Sequence, residues 1–127
     1  MKVNVIVETS SDGYFSCYVK EEFKDFALLG YGDSAGAAIG DMLEAYREIK
    51  ELKSGLPDLE FCYHYDMKSF FNYFNFLNVS KVAERAGINP SLMRKYTSGV
   101  AKAGQKQYDK LSAAVKEFSE ELQAAAF

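Results

Sequence analysis

VSKVAERAGINPSLMRKYTSG, from Val79 to Gly99, has the punctuation of two short helices around a tight turn. Val82, Ala83 and Ala86 form one apolar face of the first helix. Gly87 breaks it where the turn requires φ > 0, a region glycine enters without steric cost. Asn89 is a good N-cap for the second helix. Pro90 suits the first helical position, where its missing N–H would have no intrahelical partner. Met93 and Tyr96 form the buried side of that helix, and Gly99 ends it. Ala83 falls at the helix crossing, where a larger side chain would push the pair apart. The spacing predicts a helix-turn-helix.

In such a motif the second helix enters the DNA major groove with its N-terminal residues toward base edges. Ser91, Arg94 and Lys95 then project outward, opposite Met93 and Tyr96. Arg and Lys pair with guanine O6 and N7, and serine is a short, undiscriminating partner. Asn78 and Ser80, at the start of the first helix, suit phosphate contact. Ser98, Lys102 and Lys106 suit the backbone beyond the second helix. Lys102 and Lys106 also read as ordinary solvated charges, and the sequence leaves both readings open.

The charge distribution places these residues in context. The 127 residues carry a net charge of −3, which hides two opposite halves. Residues 1–66 hold six Lys/Arg against thirteen Asp/Glu, and residues 67–127 hold nine against five. The expected organisation is therefore an acidic module, 1–66, followed by a basic helical module, 67–127. With 48% hydrophobic and 26% charged residues the composition is that of a folded chain. No apolar run reaches membrane-span length, and MKVNVIVE lacks the apolar core of a signal peptide, so no membrane association and a cytoplasmic location are expected. Two cysteines do not make a disulfide framework.

Within the acidic module, Val3, Val5 and Val7 alternate with polar residues as in a half-buried strand. Asp12-Gly13 reads as a hairpin turn into YFSCYV, Tyr14 to Val19. Phe26 to Leu29 is a candidate third strand, with Gly30 to Ser34 as a loop that ends in a helix N-cap candidate, Ser34. Ala35 to Leu52 is an amphipathic helix, in which Gly36 and Gly40 are expected to allow close packing on a sheet or a subunit contact. Leu59 to Tyr65 reads as the last strand, giving a βββαβ order with one sheet face left for a partner or a second copy. Asp66 caps an aromatic helix, Met67 to about Leu77, expected to pack under the helix-turn-helix. A last helix, Gln105 to Ala125, carries a seam of Tyr108, Leu111, Val115, Phe118 and Leu122 that closes the module or joins two copies. The fold class is α+β.

Other chemistry has little support. Glu8, Asp33, Asp41, Glu44, Glu60 and Asp66 invite a ribonuclease H-like nuclease reading, but nothing fixes them on one face, and no catalytic residue is assigned. His64 is the single histidine, so no metal site is expected. Cys17 and Cys62 lie on separate strands and could be sheet neighbours, as reduced thiols. No nucleotide-binding glycine motif or nucleophile elbow occurs, and no cofactor is expected.

The two halves together resemble a known family. A strand ending in Glu8, the Gly13-Tyr14 hairpin, Gly32-Asp33-Ser34 leading into a helix, and Glu44-Ala45 within it resemble the N-terminal domain of HicB-family antitoxins. The C-terminal half resembles the phage-repressor type of helix-turn-helix fused to many of them, with Gly87, Ile88, Met93 and Tyr96 at its structural positions and Ser91 and Lys95 at base-touching ones. Two departures stand out. FALLGYG replaces a segment that often holds Pro-Gly, and Pro90 stands where repressors often have a base-reading glutamine. The resemblance implies a partial ribonuclease H-like fold without nuclease activity, which blocks a small basic RNase toxin (HicA-like). It also implies repression of double-stranded operator DNA by a homodimer or higher homo-oligomer. A dimer would set two recognition helices ~34 Å apart. The alternative is a stand-alone DNA-binding regulator whose N-terminal module only oligomerises or senses a ligand.

Overall fold

A computed structural model of the chain describes residues 1–53 and 55–127. The chain is α+β, and it divides into two compact units, Met1–Tyr73 and Phe74–Phe127. The first contains β1 (Lys2–Thr9), β2 (Phe15–Val19), β3 (Leu29–Gly32), α1 (Ala35–Leu52), β4 (Glu60–Tyr65) and α2 (Met67–Tyr73). The second contains α3 (Val79–Ala86), α4 (Pro90–Ser98) and α5 (Gln105–Ala124).

The four strands form one mixed sheet in the order β3-β2-β1-β4. β1 pairs antiparallel with β2 and parallel with β4, and β2 pairs antiparallel with β3. The β1–β4 pairing needs a crossover, which α1 supplies. Alternation then sorts the side chains. Val3, Val5, Val7, Phe15, Cys17 and Val19 are buried, and with Leu28, Ala38, Ile39 and Met42 they form the core under α1. Ser34 caps α1 by accepting from the Ala37 N–H at 3.0 Å, and Asn72 Oδ1 accepts from the Ala35 N–H at 2.8 Å.

Four expectations change. The third strand is Leu29–Gly32, not Phe26–Leu29, so two glycines assigned to a loop are in the sheet. Their reason is contact with α1. A Cβ on Gly30 would lie 2.0 Å from the Ala38 carbonyl oxygen, and one on Gly32 would lie 2.6 Å from Ala37 Cβ. The close approach therefore belongs to strand glycines rather than to Gly36 and Gly40, where a Cβ would meet nothing nearer than 3.8 Å. Cys17 and Cys62 are not neighbours, because β1 lies between their strands. Cys17 pairs with Val7 facing the core, whereas Cys62 pairs with Asn4 on the opposite face.

The fourth change concerns the aromatic helix. It stops at Tyr73 rather than near Leu77, and the division between units falls after it instead of at residue 66. Asp66 explains the attachment. Its carboxylate accepts from the Ser69 N–H at 2.8 Å as a helix cap, and from the Thr9 N–H at 2.8 Å at the end of β1. Met67, Ser69 and Phe71 are buried, and Phe70 meets Tyr65 of β4 edge-on.

Candidate nucleic-acid interface

α3 and α4 are joined by Gly87, Ile88 and Asn89. Asn78 Oδ1 caps α3 by accepting from the Lys81 N–H at 3.0 Å. Gly87 has φ 72°, and its N–H reaches back to the carbonyls of Ala83 and Glu84. That left-handed residue turns the chain, and Ile88, almost fully buried, drives into the interior. Asn89 Oδ1 accepts from Ser91 N–H at 2.9 Å and Leu92 N–H at 3.3 Å, with Pro90 starting α4. Gly99, at φ 83°, ends it. Val82, Ala83, Met93, Tyr96, Leu111 and Ala114 are buried, which accounts for the small residue at 83 and the apolar pair on α4.

The outer side of α4 carries Ser91, Arg94, Lys95 and Ser98, all exposed. Arg94 organises the start of this surface. Its guanidinium donates to Ser80 Oγ of α3 at 3.1 Å and to Ser91 Oγ at 3.2 Å. Three expected contact residues, from two helices, are thus brought together through one side chain. Asn78 sits just ahead of Ser80, its oxygen committed to the α3 cap. Ser98 donates to the Lys95 carbonyl at 3.2 Å. Lys102 lies in the loop after α4 and Lys106 in the first turn of α5, both exposed. Among the described residues no hydrogen bond ties either lysine to the Arg94 cluster.

The structure also sorts the basic residues of the second unit, which was not visible in the sequence. Arg85 is paired with Glu117 at 2.8 Å and with Glu121, and its guanidinium carbon lies 5.8 Å from the Phe118 ring centre. Those carboxylates, Glu121 foremost, raise its pKa further. Lys81 faces Glu84 at 3.7 Å, and Lys110 Nζ lies 3.5 Å from the Gly87 carbonyl oxygen. Among the described residues, Arg94, Lys95, Lys102 and Lys106 have no carboxylate within ion-pair distance. Lys110, beside the Gly87 carbonyl, and the exposed Lys116 of α5 likewise lack a carboxylate partner among the described residues, so Arg94, Lys95, Lys102 and Lys106 are four of six cations of the second unit left to meet an anion. The signal for Arg85 lies in residues more than thirty positions away, on α5.

Acidic residues considered for metal chemistry are committed elsewhere or scattered. Asp66 holds Thr9 and Ser69, Asp41 accepts from the Tyr31 N–H at 3.0 Å, and Glu44 is paired with Arg47, which holds its pKa below the usual range. No three His, Cys, Asp or Glu side chains gather as a metal-holding group among the described residues. His64 is exposed, with Nε2 2.8 Å from Asn4 Oδ1. Among the described residues no helix is long and apolar enough to cross a membrane. No protein-family model matches the chain, and no curated protein or solved structure matches it.

Proposed function

We propose that the chain is a DNA-binding transcriptional autoregulator of the HicB-like antitoxin type. α3 and α4 would act as the helix-turn-helix, with α4 in the major groove of double-stranded operator DNA. The observation that carries this is the Ser80–Arg94–Ser91 cluster beside Lys95, on the outer side of a helix whose inner side, Met93 and Tyr96, is buried. In this reading Lys95 and Ser91 meet base edges, and Arg94 orients the serines and meets a base or phosphate. Asn78, Ser80, Ser98, Lys102 and Lys106 meet the backbone.

The first unit, with seven Lys/Arg against thirteen Asp/Glu, would neutralise a small basic RNase toxin (HicA-like). Charge complementarity supports that division, since an acidic surface steers a basic partner. The reading assigns no enzymatic activity and no cofactor to the chain, and it places the protein in the cytoplasm as a homodimer or higher homo-oligomer. A second reading keeps the DNA reader and makes the first unit an oligomerisation or ligand-sensing module. The open row Leu29–Tyr18–Ile6–His64 across all four strands favours it, because two of these apolar side chains are exposed.

Titration against duplex DNA from immediately upstream of the chain's own gene, with a scrambled duplex as control, tests the DNA half. Tight selective binding is expected, and equal weak binding to both duplexes would overturn it. Co-expression with a small basic RNase encoded beside the gene tests the toxin half. A soluble complex with silenced RNA cleavage is expected, whereas unimpaired cleavage would leave the second reading.

A further inference from the structure

Opposite α1, the sheet presents a face without a covering helix from the first unit. Register places Tyr31, Ser16 and Glu8 in one row and Leu29, Tyr18, Ile6 and His64 in the next. At the hairpin end of the first row, Tyr14 stacks on Tyr31 with ring centres 5.4 Å apart and planes 24° from parallel. Both rings are large and about half exposed, at 44% and 51%. Stacked tyrosines left in water on a sheet face are not needed for the core, which lies on the other side.

Asp12 fixes the pair. Its carboxylate accepts from Tyr31 Oη at 2.6 Å, from Ser10 Oγ at 2.8 Å and from the Tyr14 N–H at 3.0 Å. These bonds keep Asp12 charged, with its pKa lowered chiefly by the Tyr31 hydroxyl, while Tyr31 is pushed up to about 12 and stays a donor. Gly13, at φ 85°, makes the turn that brings Tyr14 back over β3. Glu8 is exposed in the same row. Among the described residues neither Asp12 nor Glu8 is paired with a Lys or Arg, and neither row contains a Lys or Arg.

π-faces and carboxylates gathered without a cation are complementary to a planar cationic group. Guanidinium is the best fit, because it stacks on a ring while its N–H fork meets a carboxylate. We propose that the Tyr14–Tyr31 stack with Asp12 and Glu8 is a docking point for an arginine side chain of a basic polypeptide. This rests on the reading of the first unit as the partner-binding half, and it names the surface and the recognised chemistry.

The test uses the full-length protein and an octa-arginine peptide, followed by amide chemical shifts and by titration at moderate salt. The peptide is expected to shift Tyr14, Ser16 and Tyr31. Tyr14→Leu/Tyr31→Leu should weaken binding about fivefold to thirtyfold, the scale of two exposed cation–π contacts. Tyr14→Phe, which keeps the ring, should stay within about twofold. Asp12→Asn with Glu8→Gln should also weaken it, and reads the site even if the leucine variant folds poorly. Peptide binding unaffected by either pair, or shifts confined to other surfaces, would overturn the proposal. So would a drop in oligomeric state in the leucine variant, since a second copy would then be the occupant. Failure of the toxin reading is distinguishable: no complex with a basic RNase leaves the peptide result standing, whereas a toxin bound equally by wild type and variants removes only this inference.

Discussion

Gly30→Ala and Gly40→Ala should move stability in opposite directions, although both replace a glycine at the α1–β3 region by one methyl. At Gly30 the new Cβ would sit 2.0 Å from the Ala38 carbonyl oxygen, 2.8 Å from Met42 N and 2.9 Å from Cys17 Sγ. Two of these are helix backbone atoms, and Ala38 and Met42 are fully buried, so relief requires α1 to lift from the sheet. Lifting also breaks the Cys17 Sγ–H bond to the Ala38 carbonyl, 3.2 Å long. Overpacking costs typically ~1–3 kcal/mol, and the backbone location places Gly30→Ala at the upper end, about 3 kcal/mol. For a unit of this size that lowers Tm by roughly 12–24 °C. At Gly40 nothing lies within 4 Å of the added Cβ, and the site is helical and exposed. Alanine there should stabilise by about 0.5–1 kcal/mol through backbone entropy. Urea and thermal unfolding followed by near-UV circular dichroism, which reads the tyrosine-rich first unit, measure both. A Gly30→Ala protein within about 0.5 kcal/mol of wild type, the range of an ordinary surface change, would refute the packing of α1 on β3.

Three further outcomes are expected. One thiol should react with a disulfide reagent in the native protein and two in denaturant, because Cys62 is exposed while burial pushes Cys17 up to about 11; two equally fast native thiols would contradict this. Tyr31→Phe should raise the Asp12 pKa toward the ordinary 3.8, read by carboxyl carbon shifts. Because the folded value is the lowered one, Asp12 ionisation contributes stability above the unfolded pKa and loses it as pH falls through the folded pKa, so wild type and variant should converge in acid; an unmoved Asp12 titration would remove that link. Asn89→Ala should destabilise the second unit by about 0.5–2 kcal/mol, since Oδ1 caps two N–H groups, and a neutral result in thermal unfolding would mean that water replaces the cap.

Local chemistry was the legible part of the chain. Val3, Val5 and Val7 announced a one-face-buried strand, and Ser34, Gly87, Asn89 and Gly99 marked helix ends through side-chain or left-handed backbone geometry, whereas Asn78, read only as a phosphate contact, is the cap of α3. Long-range contacts were less legible. Leu28 is buried and its carbonyl accepts from the Val19 N–H at 3.1 Å, yet the paired strand starts at Leu29 and runs on through Gly30 and Gly32, whose fit against α1 only tertiary contact reveals. The run FFNYFNF is apolar on every side, so its pattern could not tell which unit would take α2; the Asp66–Thr9 bond does. In the candidate interface the outward residues of α4 followed from helical periodicity. The Arg94 link to Ser80 and the loss of Arg85 to α5 depended on partners across the fold.

The most direct test of the DNA-reading account compares Lys95→Ala with Lys106→Ala on upstream and scrambled duplexes across a salt series. Lys95→Ala should remove roughly 1–3 kcal/mol of discrimination, selectively from the upstream duplex. Lys106→Ala should weaken both duplexes alike and lower the salt slope by about one. Equal losses from both variants on every duplex would contradict base reading by α4, and no selective binding by the wild-type protein would contradict the DNA reader itself.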